Sequence, residues 1–193
     1  SKLQILDPKV LEPLSAELRA KARLFNGQAL CIAANACAKL QLGVDVFKAL
    51  YGQVPKVLQR LTGRQLAMLC HAWAKAHVHN DDLYALLAMP LEQKSATLSA
   101  HDVAISIYGY AHFRKAPPAL FEKLLGRFQE LLGSLQNNDG QVPASNSSSP
   151  AAPSDTDLLM LANALARVGW HNDAVEGALQ AYADGQRGPL SLT

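Results

Sequence analysis

Cys70, His71, His77 and His79, with Asp81 and Asp82 close behind, form the densest group of potential metal ligands in this 193-residue chain. Thiolates and imidazoles bind zinc when their spacing lets them converge on one point. Here Cys70 and His71 are neighbours that point to different sides of one helix, and His77 and His79 fall in a turn. That spacing matches no zinc pattern, so no metal ligand is assigned. Asp81 and Asp82 open a helix, where carboxylates complement the positive end of the dipole, and capping accounts for them. No GxSxG, HExxH, Walker-type loop or GxGxxG occurs. The sequence therefore predicts no catalytic residue, no cofactor and no small-molecule substrate, and the protein is read as non-enzymatic.

A second pattern sets a polar group four residues before a cation or potential cation: Asn35 and Lys39, His71 and Lys75, Tyr108 and His112, Asn163 and Arg167. Four residues is just over one helical turn, so each pair shares a side. Seven positions before each leading residue, on the same side, stand Gln28, Arg64, His101 and Thr156. Cations spaced by a repeat can meet successive phosphates, and Asn, His and Tyr can bond base edges or stack on a base. This is chemistry for single-stranded RNA. The bland reading is that solvent faces of helices are simply polar and often carry Lys. Agreement of four helices in two columns is what favours a functional strip. The RNA-binding residues expected are Gln28, Asn35, Lys39, Arg64, His71, Lys75, Tyr108, His112, Asn163 and Arg167, with a basic patch of Arg19, Lys21 and Arg23 nearer the N-terminus. Tyr108 is the aromatic expected to meet a base, whereas Trp73, Tyr110 and Trp170 are expected to pack.

The elements that must position these residues are legible in four windows: LCIAANACAKL (30–40), LAMLCHAWAKA (66–76), VAISIYGYAHF (103–113) and LLMLANALARV (158–168). They start 36, 37 and 55 positions apart, the last gap being one unit plus 18 extra residues. Four positions before each start stands a helix-capping residue, Asn26, Thr62, Ser99 or Ser154. Asp102 and Asp157 follow the last two by three positions, as in a capping box. Small residues fill two columns, Ala38, Ala74, Ala111, Ala166 and Ala36, Ala72, Gly109, Ala164, which lets a neighbouring helix come close. The packed face gathers Leu30, Ala33, Ala34 and Cys37, then Leu66, Leu69, Cys70 and Trp73, then Val103, Ser106, Ile107 and Tyr110, then Leu158, Leu161, Ala162 and Leu165. Ser106 is the polar member and is expected to bond back to its own backbone. A second helix opens near Asp45, near Asp81, at Pro117-Pro118 and near Asn172-Asp173.

Helix–turn–helix units of about 37 residues predict an all-α chain, a right-handed α-solenoid in one domain. The expected boundaries are a half repeat over 7–23, whose DPKVLEPLSAEL reads as a second helix without its partner, and repeats over 26–60, 62–97, 99–134 and 154–183. Residues 135–155, rich in Ser, Pro, Asn and Ala, are expected to form an inserted low-complexity loop.

Apolar residues make up 49% of the chain and aromatics 6%, which favours closely packed helices over strands. Net charge is +2 overall but runs from +5 over residues 1–60 through +1 over 61–135 to −4 over 136–193, so a polyanion should prefer the N-terminal two thirds. Three cysteines in apolar runs, with no CxxC, fit a reducing compartment. No apolar run is long enough for a membrane span, so no membrane insertion is expected. The chain opens at Ser1 without Met or a signal peptide, as a processed form or part of a longer protein would.

The wording "L-A-x-x-x-x-A-x-A-K/R", an acidic or Pro turn and "L/F-x-x-L", clearest in LAMLCHAWAKAHVHNDDLYALL, resembles the octotricopeptide and heptatricopeptide repeats. These are helical repeats of organellar RNA-binding proteins, including the RAP-domain and FAST-kinase-like group. The likeness spans residues 26–132 and 154–182, and no RAP domain is recognisable after residue 182. It implies residence in the mitochondrial matrix, or alternatively a plastid. It also implies a part in a mitochondrial ribonucleoprotein, as a ribosomal protein of the mitochondrial ribosome or a component of another such particle, touching ribosomal RNA and protein neighbours. The rival reading is a scaffold or accessory subunit of a respiratory or ATP-synthase complex with no RNA contact.

Overall fold

The computed structural model describes residues 8–136 and 153–185. All regular structure among them is helical, in the order α1 (Pro8–Lys21), α2 (Gly27–Lys39), α3 (Val44–Tyr51), α4 (Val54–Val57), α5 (Gly63–Lys75), α6 (Asp81–Gln93), α7 (Ala100–His112), α8 (Pro118–Gln136), α9 (Asp155–Val168) and α10 (Asp173–Gly185). The four windows form α2, α5, α7 and α9.

These four helices begin alike. Asn26, Thr62, Ser99 and Ser154 are extended, and each side chain accepts the N–H three residues on, at Ala29, Gln65, Asp102 and Asp157. Gln65, Asp102 and Asp157 return the bond to the cap, so Thr62–Gln65 is a capping box in addition to the two expected. Each such cap stabilises its helix by about 1 kcal/mol. A 3₁₀ turn leads into each of the first three caps, at Ala22–Leu24, Leu58–Arg60 and Ser95–Thr97.

They also end alike. Gln41, His77, Arg114 and Gly169 take positive φ, at 53°, 55°, 55° and 66°. The next N–H, of Leu42, Val78, Lys115 and Trp170, returns to the carbonyl of Cys37, Trp73, Tyr110 and Leu165. This closure satisfies the last carbonyls of each helix. Only Gly169 adopts the left-handed conformation without a steric penalty.

α2 packs on α5, α5 on α7 and α7 on α9, and these are the most extensive helix contacts in the fold. The small columns are the cause. A Cβ on Gly109 would lie 2.9 Å from the Cys70 carbonyl oxygen, so the α5 backbone itself fills that space. Beneath this joint, Tyr84 Oη donates to the Cys70 carbonyl at 2.9 Å and Tyr110 Oη to the Tyr84 carbonyl at 2.7 Å. Trp73 is fully buried edge-on to Phe47. Ser106, also fully buried, donates to the Asp102 carbonyl at 2.7 Å as expected. Of the packed face, Ala33 and Ala162 are half-buried and the rest is buried.

The second helix expected to open near Asp45 does so but comes in two pieces: α3 stops at Tyr51, α4 covers Val54–Val57 and a 3₁₀ turn follows. Pro55 cannot donate to the Tyr51 carbonyl, and the missing bond favours the break. Buried Gln53 sits at the break and donates to the Phe25 carbonyl at 2.7 Å, tying it to the start of α2. The inserted loop starts later than expected, since α8 runs to Gln136. The rest of that segment, 137–152, lies outside the described residues.

Candidate nucleic-acid interface

The caps set the phase of each helix. With Asn26, Thr62, Ser99 and Ser154 fixed, the residues nine and thirteen positions later share the side away from the packed face. In α5, α7 and α9 this brings the expected residues into one run. The His71 and Tyr108 rings meet edge-on at 5.8 Å, and Tyr108 meets His112 of its own helix at 5.8 Å. His112 Nε2 lies 3.0 Å from His77 Nδ1. Asn163 Oδ1 accepts from Arg167 Nε at 3.1 Å.

The electrostatics of the run depart from a simple cationic edge. Burial, then repulsion from His77 and Arg167, lowers the His112 pKa below its ordinary value. Burial, then Lys75 and His101, does the same to His71. Both imidazoles are therefore neutral at pH 7, so His112 is a hydrogen-bonding group there and not the cation its column suggested. Lys75 and Arg167 supply the positive charge on either side of it, both exposed. His71 and Tyr108 are half-buried, so their rings are held in place with one part open to solvent.

Other expected residues stand apart from this run. On α2, Asn35 is half-buried and Lys39 exposed. Gln28 and Arg64 are exposed in the first turns of α2 and α5. Arg19, Lys21 and Arg23 lie on α1 and the turn after it, which packs on α3 and not among the first helices. Lys21 pairs with Glu17 at 2.5 Å. His101, in the same column as Gln28 and Arg64, is committed to Asp157 at 2.8 Å and thereby bridges α7 to the capping box of α9.

His77, which sequence reading left in a turn, joins this run through His112. It occupies the left-handed position that closes α5, and that conformation carries its ring to α7. The signal in the chain was its place two residues beyond Lys75, level with Gln41, Arg114 and Gly169. His79, read with it, instead pairs with Asp81 at 3.0 Å and lies edge-on to Phe113. No group of three or more His, Cys, Asp or Glu among the described residues could hold a metal ion. Burial pushes the Cys31 thiol up to about 12, the Cys37 thiol up to about 11, and that of Cys70 further, which leaves no thiolate at neutral pH. Trp73 and Tyr110 are core residues, and half-buried Trp170 packs beside Phe121 at 5.4 Å. No helix of the described residues is long and apolar enough to cross a membrane.

No protein-family model matches the chain, and no curated protein matches it.

Proposed function

We propose that the chain is an α-solenoid of tandem helix pairs of about 37 residues that binds single-stranded RNA along its first helices. The matching caps, left-handed closures and small-residue columns of α2, α5, α7 and α9 support the repeat reading. The single observation that carries the RNA reading is the run from His71 through Tyr108 and His112 to Arg167, with Lys75 beside it. A charged group at each end can take a phosphate, and the neutral imidazoles and phenol between them can bond or stack on bases. The resemblance to organellar repeats supports a mitochondrial ribonucleoprotein such as the ribosome as the setting for this activity, with protein neighbours around it.

The test is a salt titration of binding to a fluorescein-labelled single-stranded oligonucleotide, followed by anisotropy. Wild-type affinity should fall steeply with salt. Lys75→Ala with Arg167→Ala should reduce the log–log slope by about 0.7 for each phosphate no longer neutralised. An unchanged affinity and slope in the double variant would put the RNA elsewhere. Absence of binding at low salt leaves the scaffold reading in its place.

A further inference from the structure

His112 stands in the column expected to meet RNA, yet neither of its ring nitrogens is open to a ligand. Nε2 lies 3.0 Å from His77 Nδ1, and Nδ1 is buried without a hydrogen-bond partner among the described residues. His77 is exposed. With Nδ1 turned to His112, the nitrogen it has left for a ligand is Nε2. Its φ of 55° at the closure of α5 carries the ring across to α7. Lys75 precedes it by two residues, and Tyr108 meets His112 at 5.8 Å, so His77 stands on the edge of the same strip.

The contact also decides where the protons sit. One of the two facing nitrogens donates and the other accepts. If His77 Nδ1 donated, a neutral His112 would carry its own proton on Nδ1, inside the protein and with no acceptor. Orphaned buried N–H groups are rarer in proteins than under-used acceptors, so the proton belongs on His112 Nε2. Burial, then repulsion from His77 and Arg167, keeps His112 neutral, which leaves its Nδ1 bare. His77 then accepts at Nδ1, and its own proton is directed to Nε2, because the bond made by one ring nitrogen settles the role of the other.

We propose that His77, and not His112, makes the hydrogen bond to RNA at this point of the strip, donating from Nε2 to an acceptor oxygen of a phosphate or a base edge. His112 is a positioning residue that fixes the tautomer of His77. The proposal rests on the RNA reading above and adds a demand to it. A nucleotide bound here must offer an acceptor, whereas a histidine with no such partner could turn either nitrogen role to its ligand. An exocyclic amino group, which donates, is disfavoured at this position.

Anisotropy with fluorescein-labelled oligouridylate and NMR of isotopically labelled histidine rings, both on the whole chain at pH 7.5, test this. His77→Gly is the cleanest variant, because glycine takes the positive φ without strain, as Gly169 does at the closure of α9. It should weaken binding about fivefold with unchanged circular dichroism. The log–log salt slope should stay the same, because a neutral donor displaces no counterion. His112→Ala should weaken binding by a similar factor in the wild-type chain and have no further effect beside His77→Gly. His112→Gln should restore it, since the amide N–H can donate to His77 Nδ1 in place of the ring. NMR of the free protein should find the protons on Nε2 of both rings, with a coupling across the His112–His77 hydrogen bond. A His77→Gly penalty that persists on an abasic oligonucleotide assigns a backbone oxygen, and one that vanishes there a base edge. Three results overturn the proposal: His77→Gly binding as tightly as wild type, His112→Ala losing as much with His77→Gly as without it, and a His77 proton on Nδ1. Absence of wild-type binding overturns the RNA reading together with this one, whereas wild-type binding indifferent to His77→Gly overturns this one alone.

Discussion

Tyr108 and Tyr110 stand two residues apart on α7 and have opposite surroundings. Tyr110 is buried and spends its hydroxyl on the Tyr84 carbonyl, which in turn links through Tyr84 to Cys70. Tyr108 is half-buried, and its ring contacts are two imidazoles, His71 and His112. The same residue type is therefore a bolt on one side of the helix and an open surface on the other. Residue chemistry did not decide this. Phase around the helix did, and the phase was fixed by Ser99 at the N-terminus.

The largest effect should come from breaking both sides at once. Gly109 lies between the two tyrosines against the α5 backbone, so Gly109→Val forces α5 and α7 apart and should cost about 3 kcal/mol, read as a lower urea midpoint. It should also abolish the His71–Tyr108 contact. Next, Tyr108→Ala should weaken oligonucleotide binding by about 1–3 kcal/mol, with a smaller drop in the urea midpoint than Gly109→Val because its half-buried ring also packs on the core. Tyr110→Phe should do the reverse, costing about 1 kcal/mol of stability with no change in binding. Equal behaviour of the two variants in both assays would dissolve the contrast.

Acid titration sharpens the comparison further. His71 and His112 have folded-state pKa values below the ordinary 6.5, so the unfolded chain takes up protons first as pH drops. Their contribution to stability is complete above about pH 6.5 and is lost as pH falls through the lowered values. His112→Gln should flatten this part of a stability–pH curve. Asp157 acts in a lower window. Burial alone would raise its carboxyl, but His101 and Ser154 outweigh that and hold it below the usual carboxylate range. Its contribution persists above about pH 4 and fades below. The smallest effect is at Gln41, whose left-handed φ glycine would relieve, so Gln41→Gly should raise stability by about 0.5 kcal/mol.

Caps and faces could be read from the chain because both are local. A Ser at the right offset finds its N–H within one turn, and a 100° step per residue sorts Leu from Lys. The left-handed closures at Gln41, His77 and Arg114 carried no glycine to announce them. The break between α3 and α4 was written in Pro55, but only the buried Gln53 shows what holds it. The His77–His112 and His101–Asp157 contacts depend on how near one helix stands to the next. That distance is set by pairs such as Gly109 and Cys70, which no single-helix pattern contains. The charge state of His112 was missed for the same reason.

The three thiols have a practical consequence. Cys31 and Cys37 lie in α2 and Cys70 in α5, all sealed and protonated in the folded chain. An alkylating reagent can reach them only when their helices part. Pulse labelling followed by mass analysis would then time the departure of α2 from the array separately from that of α5, turning ordinary core residues into two clocks for the order in which the chain comes apart.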